Sequence, residues 1–392
     1  MSPASSISLR EIMASKSGSV DPSKFPDEVF DLYSIPAFDS GHPEVVAGKA
    51  IGSAKQVVRP GDVLLSRIVP HIRRSWVVAN GSGRRIIASG EWIVFRSDRV
   101  HPDYLRHVLV GDPFHAQFMN TVAGVGGSLL RARPEHVGKI KIPLPPLAEQ
   151  RRIAEVLGRA EALRAKRRAV LAQLDTLTQS IFLDLFGDPT TNPKGWPRFT
   201  LGDLIVAGPQ NGLYKPSADY GSGTPILRID TFYDGAVTKL GTLKRCRLSD
   251  KERELYELSS DDIVVNRVNS MEYLGKSALI PKLDEPTVFE SNMMRFGVDG
   301  QRVEPRYVVE FLQSMFIKGQ ILTAAKHAVN QSSINQQDVQ SFRINVPPIQ
   351  VQREFRRRVT AIEELAGAQR ESLRELDGLF ATLQHRAFRG EL

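Results

Sequence analysis

Pro145-Pro146-Leu147-Ala148-Glu149-Gln150-Arg151 and Pro347-Pro348-Ile349-Gln350-Val351-Gln352-Arg353 are one motif written twice, 202 residues apart. The same shift continues beyond the motif: Ile153 falls with Phe355, Ala160 with Ile362, Leu163 with Leu365, Leu174 with Leu376, Leu177 with Leu379, Ile181 with Leu383 and Phe186 with Phe388. Upstream, Ile142 and Leu144 match Ile344 and Val346. Self-similarity at a fixed shift has to be read before any local pattern, because it sets the whole architecture.

With small changes of register the repeat reaches back through each half. Gly61-Asp62-Val63-Leu64-Leu65-Ser66-Arg67 pairs with Asp261-Asp262-Ile263-Val264-Val265-Asn266-Arg267. Val100-His101-Pro102-Asp103-Tyr104-Leu105 pairs with Val303-Glu304-Pro305-Arg306-Tyr307-Val308, and Ile7 to Ile12 with Phe199 to Leu204. One unit of about 200 residues is therefore used twice. Each copy is an irregular mixed domain followed by a long helix. Away from these motifs the copies differ greatly, so the two globular parts are expected to do different jobs.

From Pro146, a residue suited to the first helical turn, apolar residues fall at Ile153, Val156, Ala160, Leu163, Val170, Leu174, Leu177 and Ile181. Steps of three and four are the spacing of a coiled-coil seam, interrupted by Arg167. The second copy reads Phe355, Ile362, Leu365, Leu376, Leu379 and Leu383, with Gln369 where the first has Arg167. Gly187-Asp188-Pro189 stops the first helix. A helix of ~40 residues is ~60 Å long and cannot bury such a seam alone. Antiparallel pairing of the two copies about a pseudo-two-fold axis is the expectation; packing of each helix on its own domain is the alternative. The globular parts, about 1–142 and 190–346, read as α/β: a turn then a strand at Gly61 to Leu65, strands at Arg85 to Ile87 and Trp92 to Phe95, short helices at Tyr104 to Val110 and Pro305 to Phe316.

The chain has 392 residues, two or three domains at the usual domain size. Its 41% hydrophobic and 24% charged residues are ordinary for a globular protein with a sizeable core. One cysteine, Cys246, excludes an internal disulfide framework and multi-cysteine zinc or iron–sulfur sites, and fits a reducing compartment. Met1 to Arg10 lacks an apolar core of signal-peptide type, and no run approaches a membrane span. Fifty-two Lys and Arg against 44 acids give a net charge of +8, which fits a polyanionic partner.

No catalytic constellation can be assembled. Gly275-Lys276-Ser277 ends like a phosphate-binding loop, but Ser270 stands where the opening glycine belongs. Gly124-Val125-Gly126-Gly127 follows no strong strand and reads as a turn. Asn-Pro-Pro-aromatic, the tetrapeptide of amino-group DNA methyltransferases, is absent. So is a Gly-x-Ser-x-Gly elbow. His101, His107 and His115 do not form a spaced metal set. What remains is a set of basic and amide residues in loops. The first domain offers Arg67, Arg73, Arg74, Arg84, Arg85, Arg131 and Arg133. The second offers Lys215, Arg228, Arg267, Asn269, Lys276, Asn330, Gln331 and Ser332. Singly each is a solvated surface group. In two equivalent sets they read as nucleic-acid faces, since arginine forks suit phosphates and guanine, and Asn or Gln can bracket adenine.

The arrangement resembles the specificity subunit of type I restriction–modification enzymes. The resemblance is carried by Ile142 to Gln150 and the helix after it, Val346-Pro347-Pro348, Gly195-Trp196-Pro197 with Leu201-Gly202-Asp203-Leu204, Gly61-Asp62-Val63-Leu64, and the ending Ala387-Phe388-Arg389-Gly390-Glu391-Leu392. It implies two target-recognition domains, residues 1–142 and 188–346. A central helical spacer would span 143–187 and a C-terminal one 347–392. Each domain would read one half of a split double-stranded DNA sequence. The helices would dock two methyltransferase subunits, and nuclease/translocase subunits would complete the assembly. The subunit would catalyse nothing and hold no metal. S-adenosylmethionine, ATP and magnesium would belong to the partners, in a bacterial or archaeal cytoplasm at the nucleoid. Alternatives are a methylation-only or other phage-defence system, an enzyme with its own methyl-transfer or nuclease activity, and a helical scaffold that does not touch DNA.

If the helices set the spacing of the half-sites, four residues inserted between Ala172 and Thr176 keep the seam nearly in phase and add ~6 Å. The methylated sequence should keep its halves while its unread gap grows by up to about two base pairs at ~3.4 Å each. A two-residue insertion turns the seam by ~200° and should damage folding. An unchanged gap in an active complex would show that the helices are not the ruler.

Overall fold

Within the computed structural model, the described residues are 5–14, 18–81, 83–123, 130–238, 240–327 and 331–392. Two compact units account for the chain, Met1–Ala169 with Arg370–Leu392, and Val170–Gln369. The division runs through both long helices, Leu147–Phe186 and Ile349–Arg389, so each unit holds part of each.

In the first unit the strands Ser6–Ser8 and Lys141–Pro143 pair antiparallel, Ile7 opposite Ile142, and close the ends of the globular part. Val63–Ser66 lies between Ser75–Val77 and Trp92–Phe95 in an antiparallel sheet. Val63–Ser66 and Trp92–Phe95 are buried throughout, which is why they read as apolar runs without alternation. A second sheet of five strands has Val29–Tyr33 parallel to Arg85–Ala88. The helices Pro102–Val110 and Asp112–Met119, each with proline in its first turn, pack Tyr104, Val108, Phe114 and Phe118 on the core.

The second unit repeats this frame. Arg198–Thr200 pairs with Arg343–Asn345, Phe199 opposite Ile344. Ile263–Asn266 lies between Ser277–Leu279 and Met293–Val298, in a sheet of six strands. Helices Pro305–Leu312 and Met315–Ala324 follow. In place of the five-stranded sheet there is a three-stranded one, Tyr220–Leu227 between Lys244–Cys246 and Val288–Phe289. The two copies thus share their central frame and differ in what is inserted into it.

The motif that opens each long helix does identical work in both units. Gln150 is 1% exposed; its Oε1 accepts from the His101 amide at 2.7 Å and its Nε2 donates to the carbonyls of Pro145 (2.8 Å) and Arg99 (3.1 Å). Gln352 is fully buried; it accepts from the Glu304 amide at 2.9 Å and donates to Pro347 (2.7 Å) and Arg302 (3.4 Å). Tyr104 and Tyr307 donate their hydroxyls to Pro143 and Asn345 carbonyls at 3.0 and 2.6 Å. Asp62 pairs with Arg96 at 2.6 Å and Asp262 with Arg295 at 3.2 Å, fixing the turn before each central strand.

The long helices run in opposite directions where they meet. In the first unit Arg152 donates to the Leu392 carbonyl while Arg164 pairs with Asp377 at 2.5 Å and lies over the Phe380 ring. In the second, Phe182 and Phe186 close on Phe355 at 5.7 and 5.4 Å between ring centroids, beside Tyr307 and Phe311. Antiparallel pairing is as the sequence led one to expect, and the seam is so in part: Ile153, Ala160, Leu174 and Phe355 are buried, while four of its leucines are not. Leu163, Leu177, Leu365 and Leu379 are 40–51% exposed. The buried line is Ile153, Leu157, Ala160 and Leu174 on one helix and Phe355, Val359 and Ala366 on the other. Arg164 takes the inward position next to Leu163. Its stem covers apolar surface while its guanidinium reaches Asp377, so an arginine occupies a place that heptad counting gives to leucine.

Gln352→Ala leaves one amide and two carbonyls unpartnered in a buried place and should cost about 1–3 kcal/mol of stability, read as a lower denaturant midpoint. His107 generates a second expectation. Burial, then the Arg106 guanidinium, hold its imidazole down at about 4. The unfolded chain binds that proton near 6.5, so stability is full above about pH 6.5 and falls as the pH drops toward about 4. Between pH 7.5 and 5.0 the intact chain should lose about 2 kcal/mol more than His107→Gln. Parallel losses in urea titrations would refute it.

Candidate nucleic-acid interface

Arg67 leaves the central strand of the first unit through a fixed backbone frame. Its amide donates to the Glu91 carbonyl at 3.0 Å, and its carbonyl accepts from the Ala132 amide at 2.8 Å. This brings the Glu91 carboxylate between two guanidinia, 2.9 Å from Arg67 Nε and 3.3 Å from Arg131 Nη2. Burial acts against its charge, but the two arginines hold the carboxyl below its usual range. Arg67 meets Glu91 through Nε.

Arg267 stands in the same frame. Its amide donates to the Asn292 carbonyl at 2.8 Å and its carbonyl accepts from the Ile334 amide at 3.0 Å. Its Nη1 donates to the Ser291 carbonyl at 3.1 Å, while its buried Nε has no partner. Ser291 and Asn292 form one wall of a cavity of about 470 Å³, which Tyr214, Lys215, Tyr220, Arg228 and Lys244 also line. Glu290 is the acid within it. It accepts from the Ile229 amide at 2.7 Å and lies 3.3 Å from Arg228 Nε, and burial pushes its carboxyl up. Lys215 is tied to Glu252 at 2.8 Å and holds that carboxyl down to about 2. Lys244 makes no ion pair among the described residues. Two lysines and an arginine against one lining acid, with two tyrosines beside them, make a wall suited to an anionic, flat-faced ligand such as a nucleotide.

The remaining candidate residues fall into three groups. Arg73 and Arg74 sit in the hairpin between Ser66 and Ser75, paired with Asp112 (2.6 Å) and Asp39 (3.3 Å). Arg84 and Arg85 lead into the five-stranded sheet, where Arg84 pairs with buried Asp31 and Arg85 with Glu28 while covering the Phe25 ring. These four therefore hold structure as well as charge. Arg133 is exposed and precedes the helix Pro134–Val137. Asn269 and Ser332 face each other across a strand pair whose first residue, Val268, donates to the Asn292 carbonyl; Ser332 is buried and Gln331 exposed. Lys276 donates to the Ile229 carbonyl at 2.6 Å and lies 3.9 Å from the Tyr233 ring centre. It follows the turn at residues 271–275, and buried Ser277 opens the strand Ser277–Leu279, so Gly275-Lys276-Ser277 leads into a strand and not into the helix that a phosphate-binding loop requires. Asn330 and the stretch Gly124 to Gly127 lie outside the described residues.

Sequence reading missed Glu91, Asn292, Lys244, Tyr214 and Tyr220. Only Arg67 and Arg267 carried a signal toward the first two, because the repeat aligns them; the partners come from strands aligned by folding. Among the described residues no cluster of His, Cys, Asp and Glu could hold a metal, and no helix is long and apolar enough to cross a membrane.

Comparison with known proteins adds independent observations. Residues 193–374 match the family model of the type I restriction modification DNA specificity domain. The chain is 26% identical over 313 residues to the StySPI type I restriction enzyme specificity subunit of Salmonella potsdam, covering 75% of this chain and 66% of that protein. It is 30% identical over 177 residues to the putative MjaX type I specificity subunit of Methanocaldococcus jannaschii, covering 45% and 41%. To the EcoKI specificity subunit of Escherichia coli it is 25% identical over 286 residues, covering 68% and 61%. It spans less than two thirds of the length of these relatives. The fold is shared with a type I restriction-modification S subunit from M. genitalium, with a TM-score of 0.61 at 11% identity over 98% of this chain and 96% of that one. A chain from a solved type I R-M system gives a TM-score of 0.58 at 22% identity, covering 100% and 99%.

Proposed function

We propose that the chain is a specificity subunit of the type I restriction–modification family, a reading supported by the family-model match over residues 193–374, and that it is the DNA-recognition subunit of a methyltransferase complex, with no catalytic step of its own. Each unit reads one half of a bipartite double-stranded sequence. The exposed faces of the long helices dock two methyltransferase subunits, through which nuclease/translocase subunits join. S-adenosylmethionine, ATP and magnesium act in those partners, in a bacterial or archaeal cytoplasm at the nucleoid. The domains are proposed as residues 1–142 and 188–346, with helical spacers at 143–187 and 347–392.

The observation that carries this reading is the duplicated arginine. Arg67 and Arg267 leave equivalent strands through equivalent hydrogen bonds and meet different surroundings, an ion-pair cluster in one unit and a cation-lined cavity in the other. A common frame with divergent contents is what reading two different half-sites requires. Arg73, Arg74, Arg84, Arg85, Arg131, Arg133, Lys215, Arg228, Asn269, Lys276, Asn330, Gln331 and Ser332 are proposed as its wider DNA face.

The test is binding of the chain, with its methyltransferase partners, to DNA carrying its methylated sequence. Log K against log salt should fall with a slope of about −0.9 per neutralised phosphate. Lys244→Ala should reduce the slope by about one and weaken all sequences alike. Salt-independent affinity, or failure to prefer the methylated sequence over scrambled duplex, would overturn the reading.

A further inference from the structure

The residues beside the two duplicated arginines are themselves equivalent in place and unlike in chemistry. Arg67 donates its amide to the carbonyl of Glu91, and Arg267 donates its amide to the carbonyl of Asn292, at 3.0 and 2.8 Å. Each follows or ends the turn into the neighbouring central strand, Trp92–Phe95 in one unit and Met293–Val298 in the other. One backbone position therefore carries a carboxylate in the first unit and a primary amide in the second. Resting on the reading of the chain as a DNA-recognition subunit, we propose that Glu91 and Asn292 are the specificity-determining positions of the two half-sites, Glu91 by presenting Arg67 to a guanine and Asn292 by engaging an adenine directly.

The chemistry follows from what each side chain already does. Glu91 has its acceptors turned to Arg67 and Arg131. It contacts Arg67 only through Nε, which fixes the plane of the guanidinium and leaves two nitrogens as a fork. A fork of that kind matches the O6 and N7 acceptors of guanine in the major groove. A carboxylate that pins a guanidinium acts as a positioning residue, because it lowers the freedom lost on contact. Asn292 has no such task. Its side-chain amide makes no hydrogen bond among the described residues, it is half-buried, and it lines the cation-lined cavity. A primary amide offers one donor and one acceptor side by side, the complement of adenine N7 and N6. Lys244 and Arg228 on the same wall attract the backbone of the strand that carries the base.

The experiment uses the assembled complex and reads its methylated sequence base by base, with affinity for matched and single-substituted duplexes beside it. Asn292→Asp keeps size and shape but replaces the donor by a second acceptor. It should lower discrimination about 5- to 150-fold at one adenine of one half-site and leave the other half unchanged. Glu91→Gln should relax a guanine in the other half only, and Arg67→Lys should reproduce that relaxation, which a merely structural role for Glu91 would not. Asn292→Ala, which removes the amide without adding charge, covers the case in which the aspartate harms folding. If the variants stay folded and the methylated sequence keeps both halves unaltered, the assignment is overturned while the DNA-recognition reading stands. If the unaltered complex itself shows no sequence preference, the reading beneath it has failed instead.

Discussion

A buried primary amide ties each long helix to its globular body. Gln150 and Gln352 each bridge one amide and two carbonyls belonging to the segment before the helix and to the entry of the helix Pro102–Val110 or Pro305–Leu312. An amide is suited to this task because it donates and accepts at once and carries no charge to bury. The bonds also close the start of a helix whose first amides would otherwise need partners. Everything downstream depends on that junction. The angle at which a 40-residue helix leaves its domain decides which of its faces meets the other helix. Tyr104 and Tyr307 repeat the device one layer deeper, with hydroxyls on the carbonyls of the closing strands.

The seam between the helices shows what apolar counting leaves out. Steps of three and four are present, yet the line that is buried passes through Arg164 and leaves Leu163 outside. A long side chain with an apolar stem and a paired head fills a seam position at little loss of contact, and the leucine beside it becomes surface. The exposed leucines recur at the same repeat positions, Leu163 with Leu365 and Leu177 with Leu379.

Much of the frame was legible because backbone requirements leave local marks. The turn before each central strand needs an aspartate to accept amides, and Asp62 and Asp262 accept from Arg59 and Ser259 at 2.8 Å. That turn also needs a left-handed residue. Gly61 supplies it without strain, while Asp261 adopts the same conformation and takes the guanidinium of Arg356 at 3.3 Å. Gly187, with φ of 79°, ends the first long helix where sequence placed its end. The candidate interface was legible only in its arginines. Whether an arginine faces a carboxylate or an open cavity depends on strands that lie far apart in sequence, such as Arg67 with Glu91 and Arg228 with Glu290, and no local pattern encodes that pairing.

Charge pairing differs between the two faces at particular cations. In the first unit Arg67, Arg73, Arg74, Arg84, Arg85 and Arg131 all meet carboxylates. In the second, Lys215 and Arg228 meet Glu252 and Glu290, while Lys244 makes no ion pair among the described residues and Arg267 Nη1 donates to a carbonyl. A paired guanidinium has less field to offer at a distance but a fixed orientation at contact, whereas an unpaired cation draws in a polyanion from further away and fixes little. The first unit thus fixes its arginines by pairing, and the second adds to its paired cations a lysine with no ion pair among the described residues. Duplication makes this difference possible: the glutamine junction, the turn before each central strand and the closing strands recur, while the side chains around Arg67 and Arg267 differ.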